Sequence, residues 1–263
     1  GLGRVGQHEA TFMHNRYFQG ISQEYLGFAS AQGWGINANF VNSGDIARTT
    51  ISNPDGTGLG NTKLTDLALG AGYGWSLDDF LVLGAGFKYI RESAAGISAT
   101  GYAVDLGALY SLPAVKGLNF GFAIQNIGPR VKFQSANENL PLNIRGGAAY
   151  SFSAYGQNST VAVDIMQEAS EGVLAGLGLE TVIAGMMPVR LGFNTRNEAG
   201  PGITAGMGWI YGNCSIDYAF VPFGELGTAH RISVSVRWGK TAHKSNSDTS
   251  PFISGVRQAV SSP

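Results

Sequence analysis

The feature that most limits how this chain can fold is a two-residue alternation that puts charges on the same face as glycine and alanine. Residues 118–125 set Leu118, Phe120, Phe122 and Ile124 on one parity and Asn119, Gly121, Ala123 and Gln125 on the other. Residues 230–238 set Ile232, Val234, Val236 and Trp238 against Arg231, Ser233, Ser235 and Arg237. In 142–152 the apolar set is Leu142, Ile144, Ala148, Tyr150 and Phe152, and the set between is Asn143, Arg145, Gly147, Ala149 and Ser151. Residues 202–211 alternate Ile203, Ala205, Met207, Trp209 and Tyr211 with Gly202, Thr204, Gly206 and Gly208. Successive side chains of a strand point to opposite faces, so each segment has one apolar face and one small or polar face. A soluble sandwich also alternates, but it turns its charges outward. Here the large apolar residues stand apart from the charges, which is the pattern of an inside-out protein.

Fourteen segments carry this alternation, near residues 9–15, 23–32, 34–44, 62–75, 79–91, 98–111, 117–125, 139–152, 157–167, 173–182, 187–195, 202–210, 213–221 and 228–238. Turn chemistry marks most joints, as at Leu112-Pro113, Asn126-Ile127-Gly128-Pro129, Gly156-Gln157-Asn158, Ala199-Gly200-Pro201 and Gly212-Asn213. Soluble strands usually run to about five or six residues. Those found here suit a membrane-crossing strand, which takes about 9–11 residues at a tilt of ~45°. The expected fold is therefore all-β, a transmembrane antiparallel barrel of about fourteen strands with an apolar outside and a polar interior. The long connections at 45–61 and 129–139 are expected on the extracellular side, where barrel loops are longer.

Composition removes the competing classes. Only 13% of the residues are charged and 39 are glycine, against about 25% charged and ~7% glycine in an average soluble domain. The missing charge is not replaced by Pro and Ser runs and the net charge is −1, which is not a disordered composition. No stretch reaches the ~18–20 apolar residues of a spanning helix, and mean hydropathy is only +0.03. Seventeen Lys and Arg against eighteen Asp and Glu leave no basic excess for nucleic acid. Cys214 is the single cysteine, so a disulfide framework is ruled out.

Within the barrel, the inner parity collects Lys88, Asp105, Arg145, Asp164, Glu180, Arg190, Asp217, Arg231 and Arg237. A one-signed lining would select ions. A near-balanced set is expected to pair across a narrow interior, with Gly and Ala making room for those side chains or for a plug. Both an interior salt-bridge network without a transport role and a specific ligand site remain open. Trp34, Trp75, Trp209 and Trp238 fall near strand ends, where a barrel carries its aromatic girdles. Tyr89, Tyr110, Tyr150 and Phe220 do likewise, although aromatics favour strands in any case.

No enzymatic activity, cofactor or metal is expected. Nucleophile-elbow, zincin, phosphate-loop and paired-Cys motifs are all absent. The four histidines are His8, His14, His230 and His243, and His230 has no carboxylate close in sequence. Residues 53–58 (NPDGTG) lack the spaced ligands of a calcium loop and read as a turn. At the ends, no signal peptide is visible at Gly1-Leu2-Gly3-Arg4, so a processed or truncated form of an exported protein is expected. The pattern stops after Gly239. Residues 240–263 form a polar tail, expected to dock on a protein partner through Lys240, His243, Lys244, Phe252, Ile253 and Arg257.

Several ordered runs are similar to the PorV/PorQ family of outer-membrane barrels, relatives of the long-chain fatty-acid transporter FadL. They are Phe18-Gln19-Gly20-Ile21-Ser22-Gln23-Glu24-Tyr25, Ile124-Gln125-Asn126-Ile127-Gly128-Pro129, Leu140-Pro141-Leu142-Asn143-Ile144-Arg145, Ile216-Asp217-Tyr218-Ala219-Phe220 and Leu226-Gly227-Thr228-Ala229-His230-Arg231-Ile232-Ser233. The resemblance spans residues 9–239 and implies a FadL-like barrel of fourteen strands in the bacterial outer membrane. It also implies a choice of roles. Some members act in type IX secretion, binding the translocon or the C-terminal signal domain of cargo. FadL relatives take up hydrophobic small molecules through an N-terminal hatch and a lateral opening. This chain starts where the family's Asn-Pro-Ala segment is expected to have ended, which puts the hatch outside residues 1–239. The expected role is a partner-binding component of a secretion or cell-surface assembly. The alternatives are a transporter of hydrophobic small molecules and a purely structural membrane anchor for a larger complex. The expected partners are membrane lipid and other outer-membrane, periplasmic or surface proteins.

Overall fold

The computed structural model describes residues 1–133, 136–169, 172–195 and 200–240. Fourteen antiparallel strands close into one barrel in simple sequence order. They are β1 (His8–Arg16), β2 (Ser22–Ala29), β3 (Trp34–Asn42), β4 (Leu64–Ser76), β5 (Leu81–Ala94), β6 (Ile97–Ser111) and β7 (Leu118–Ile127), followed by β8 (Asn143–Ala154), β9 (Gln157–Glu168), β10 (Gly172–Ile183), β11 (Met187–Asn194), β12 (Ile203–Tyr211), β13 (Cys214–Pro222) and β14 (Thr228–Trp238). Each of the fourteen alternating segments forms one of these strands. Strand β14 pairs with β1, from His8 opposite Trp238 to Arg16 opposite His230, and this seam leaves the barrel without an edge.

The ends of the barrel differ. At one end, here the turn end, lie both ends of the described barrel and short connections, none longer than that at residues 112–117. The opposite, loop end carries the long connections at 43–63 and 128–142. Both loops that the sequence assigns to one side are thus on one side. Two-residue turns close the tightest hairpins. Tyr155 and Gly156 both take positive φ (51° and 74°), as do Ala95 and Gly96, which is the turn type whose twist matches that of the flanking strands.

The outer face is built from the large apolar parity. Phe12, Leu26, Ile36, Phe122, Ile165, Leu177, Leu191, Met207, Trp209 and Ile216 are all half exposed or more. A soluble protein rarely leaves so large and continuous an apolar surface to water, and a hydrocarbon environment satisfies it. No helix among the described residues is long and apolar enough to cross a membrane.

One boundary moves for a physical reason. The alternation suggests a strand from 139, but β8 begins at Asn143. Pro141 has no N–H for a ladder, and Leu140 turns inward to pack, buried, on Ala99 and Ala103 of β6. Two short ribbons stand outside the barrel, one pairing Ile46–Ala47 with Asn61–Thr62 and one pairing Val131–Phe133 with Ala136–Glu138.

Candidate functional site in the lumen

The inner face is lined by small and polar side chains, with ion pairs laid along the wall rather than across it. On β8 and β9, Arg145 holds Asp164 with two hydrogen bonds, Nε to Oδ1 at 3.3 Å and Nη2 to Oδ2 at 3.0 Å. Gly147 makes this possible. The Asp164 carboxylate occupies the space that a Cβ at Gly147 would fill. On β10 and β11, Glu180 and Arg190 face each other in register, with Arg190 Nε 2.5 Å from Glu180 Oε2. The other arm of Arg190 passes over β12 to Asp217 on β13, again at 2.5 Å. Gly206 lies beneath the arginine, and at Gly208 a side chain would run into Asp217. Glycine on the inner face of β12 is therefore what lets one guanidinium join two carboxylates on strands that are not neighbours.

A third cluster sits at a break in the sheet. Between β6 and β7 the register shifts, with Leu106 opposite Ile124 but Val104 opposite Ile127. The surplus residues of β7 bulge, and Asn126 takes φ 62°, a conformation that asparagine tolerates better than most residues. Lys88 Nζ reaches Asp105 at 2.9 Å and Asn126 Oδ1 at 2.5 Å. The Asn126 backbone N–H donates to Asp105 Oδ1 at 2.9 Å, and its side-chain amide donates to the Pro141 carbonyl at 2.9 Å. The cluster thus fastens the start of the 128–142 connection and its return to one point of the wall, beside the inward-turned Leu140.

A fourth pair closes the seam. Arg237 Nε lies 2.9 Å from Glu9 Oε2, and the two residues are partners in the β1–β14 register. Glu9 is not in the set of charges read from the sequence, although it has the inner parity of its segment. The signal that could have found it is the barrel closure itself, which sets the first strand beside the last. Arg231 shares the inner parity with Asn15 and Ala219, its partners in register.

The chain also places a short 3-10 turn, Leu2–Arg4, against the inner wall at the turn end. Glycine is the reason that it fits. Gly3 is buried, and an added side chain at Gly74 would strike the Gly3 backbone. Leu2 lies over Gly35 and Gly72. Arg4 then reaches to β6 and β7, donating to Ser111 Oγ at 2.8 Å and Asn119 Oδ1 at 2.9 Å. Partial burial pulls its guanidinium below the ordinary arginine value.

The four tryptophans are all exposed on the outer face, and all four lie at the turn end. Around the seam, the rings of His8, Phe28 and Trp238 form a triangle with centroids 5.8–6.1 Å apart, and Trp34 lies 5.2 Å from Phe28. Of the tail residues, Lys240 is the last described; His243, Lys244, Phe252, Ile253 and Arg257 lie outside the described residues. No group of metal-ligating side chains is present among the described residues.

No protein-family model matches the chain, and neither does any curated protein sequence. Solved structures do match, as folds. The monoaromatic hydrocarbon channel CymD aligns with a TM-score of 0.56 at 10% identity, over 93% of this chain and 91% of that one. The Pseudomonas putida toluene transporter TodX aligns with a TM-score of 0.56 at 11% identity, over 90% and 91%. The Acinetobacter baumannii outer membrane protein Omp33 aligns with a TM-score of 0.52 at 10% identity, over 90% of this chain and all of that one. At such identities the likeness concerns the fold, and the fold is that of an outer-membrane barrel.

Proposed function

We propose that this chain is a non-enzymatic barrel of the bacterial outer membrane, of PorV/PorQ type, that serves as a partner-binding component of a secretion or cell-surface assembly. The observation that carries this reading is the lumen. Oppositely charged side chains join along its wall, from Lys88–Asp105 and Arg145–Asp164 to the Glu180–Arg190–Asp217 triad and Glu9–Arg237. Such a lining presents neither the net field of an ion-selective pore nor the concave apolar surface that retains a hydrophobic ligand. Segments of the chain also lie against the wall at both ends, the Leu2–Arg4 turn at one and Leu140 at the other. The polar tail at 240–263, which leaves from the turn end, supplies the docking element in this reading.

A second reading is a channel for hydrophobic small molecules. It is favoured by the fold shared with the toluene transporter TodX and the monoaromatic hydrocarbon channel CymD. One measurement separates the two. The native protein is extracted in mild detergent, and everything retained with it, protein and small molecule, is identified by mass spectrometry. A stoichiometric protein partner that is lost on deleting residues 240–263 supports the assembly role. A monomer carrying only an apolar small molecule overturns it in favour of the channel.

A further inference from the structure

Where the first and last strands meet, polar side chains enter the outer face at the loop end, whose middle is apolar. One row across β2, β1, β14 and β13 reads Glu24, His14, Ile232 and Tyr218; the next row towards the loops reads Ser22, Arg16, His230 and Phe220. One step towards the barrel centre, the row is Leu26, Phe12, Val234 and Ile216, all apolar and exposed. The polarity therefore changes over a single step of the alternation, as a barrel wall does where hydrocarbon gives way to headgroups.

The polar residues are not equivalent. Glu24 is matched by His14, whose Nδ1 lies 3.1 Å away. The His230 ring is fixed by Tyr218 Oη at 2.7 Å from Nδ1 and by Thr228 Oγ1 at 3.0 Å from Nε2. Arg16 stands directly opposite both His230 and Ser22 in register, is exposed, and has no carboxylate partner among the described residues. A guanidinium pointing out of a barrel wall is costly in hydrocarbon without a counter-charge, and its long stem lets the head reach the interface. The anion available at that height is a lipid phosphate, which a guanidinium binds with two parallel hydrogen bonds.

We propose that Arg16, with the Ser22 and Thr228 hydroxyls beside it and His230 orienting Thr228, forms a binding site for the phosphate group of an outer-leaflet lipid at the β1–β14 seam. The acyl chains of that lipid run down over Phe12, Leu26, Val234 and Ile216. This site is independent of the partner-binding role and of the lumen. It rests only on the loop end being the one that faces out.

The test uses the detergent-purified barrel with bisphosphorylated lipid A as probe, read by native mass spectrometry. Wild type is expected to retain the probe, and Arg16→Ala combined with His230→Ala to lose tenfold or more of it. Arg48→Ala removes a cation from the long connection at the same end and is expected to change nothing. Fully dephosphorylated lipid A is expected to bind no better to wild type than to the double variant, and inorganic phosphate alone is not expected to be retained. Equal retention of lipid A by the double variant overturns the site, as does equal retention of the dephosphorylated probe by wild type. Heat-dependent gel mobility shows whether the double variant is folded. If it is not, Arg16→Gln alone is measured, with the same expected loss and the same overturning result.

Discussion

Strand β10 sets the two environments side by side. Leu177 and Leu179 point outward and are 56% and 43% exposed, while Glu180, the next residue along, is only 3% exposed. In a water-soluble strand the exposures would be exchanged. Here the face with open surface is apolar, and the face with buried side chains is polar and ionic. The outer face needs only bulk and hydrophobicity, so many residues serve equally well there. The inner face needs matched partners and, beneath them, empty space. Stability should therefore respond to opposite substitutions on the two faces.

The largest effect is expected on the inside. Arg190→Met removes the one cation shared by Glu180 and Asp217 and leaves a buried carboxylate uncompensated. Breaking such a pair costs about 3–5 kcal/mol. Urea unfolding of the barrel reconstituted in vesicles should show the loss, and an unchanged midpoint would mean that the triad is not holding β10, β11 and β13 together. Arg145→Ala sharpens the point. Its partner Asp164 keeps 26% of its side chain open to the lumen, so solvent takes over part of the charge and the loss should be nearer ~1 kcal/mol.

On the outside the next effect comes from adding charge rather than removing it. Leu177→Arg places a guanidinium on the lipid face in the middle of a strand, where the cost is about 2–4 kcal/mol and falls towards the interfaces. The same assay with the substitution moved to Val173, at the loop end of β10, should give a clearly smaller loss. Equal losses would show that β10 does not cross the membrane in the way its alternation implies.

How far this wall was legible follows from the same contrast. The period-two alternation located all fourteen strands because every strand crosses the same apolar slab, and each repeats the signal. Their ends were less legible. Pro141 and the inward turn of Leu140 delay β8 to Asn143, and nothing in the alternation marks the bulge at Asn126. Parity put Arg190 and Asp217 on the same face, but not in contact, because β12 separates their strands. Only the glycines at 206 and 208, considered as clearance for a neighbour's side chain, connect them. Glu9 went unread because its partner Arg237 lies at the other end of the chain, and a closure contact leaves no local trace. The tryptophans were placed near strand ends, but that all four share the turn end depends on strand direction.

Those glycines supply the last test. Gly208 and Gly178 are both on the inner face, in the same kind of strand. A Cβ at Gly208 would meet the Asp217 carboxylate, the Pro188 ring at 2.9 Å and the Ile216 carbonyl at 3.1 Å, whereas a Cβ at Gly178 meets nothing within 4 Å. Gly208→Ala must therefore push Asp217 away from Arg190 or shift the strand, at a cost of about 1–3 kcal/mol typical of overpacking. Gly178→Ala adds no contact, and it relieves the ~0.5–1 kcal/mol that glycine loses to backbone entropy inside a strand. The two substitutions are chemically identical and should have opposite signs in the same unfolding measurement. A loss at both sites would mean that the inner face is close-packed throughout. A gain at both would mean that Asp217 can leave Arg190 at little cost, and the triad would then be a consequence of the wall rather than a support for it.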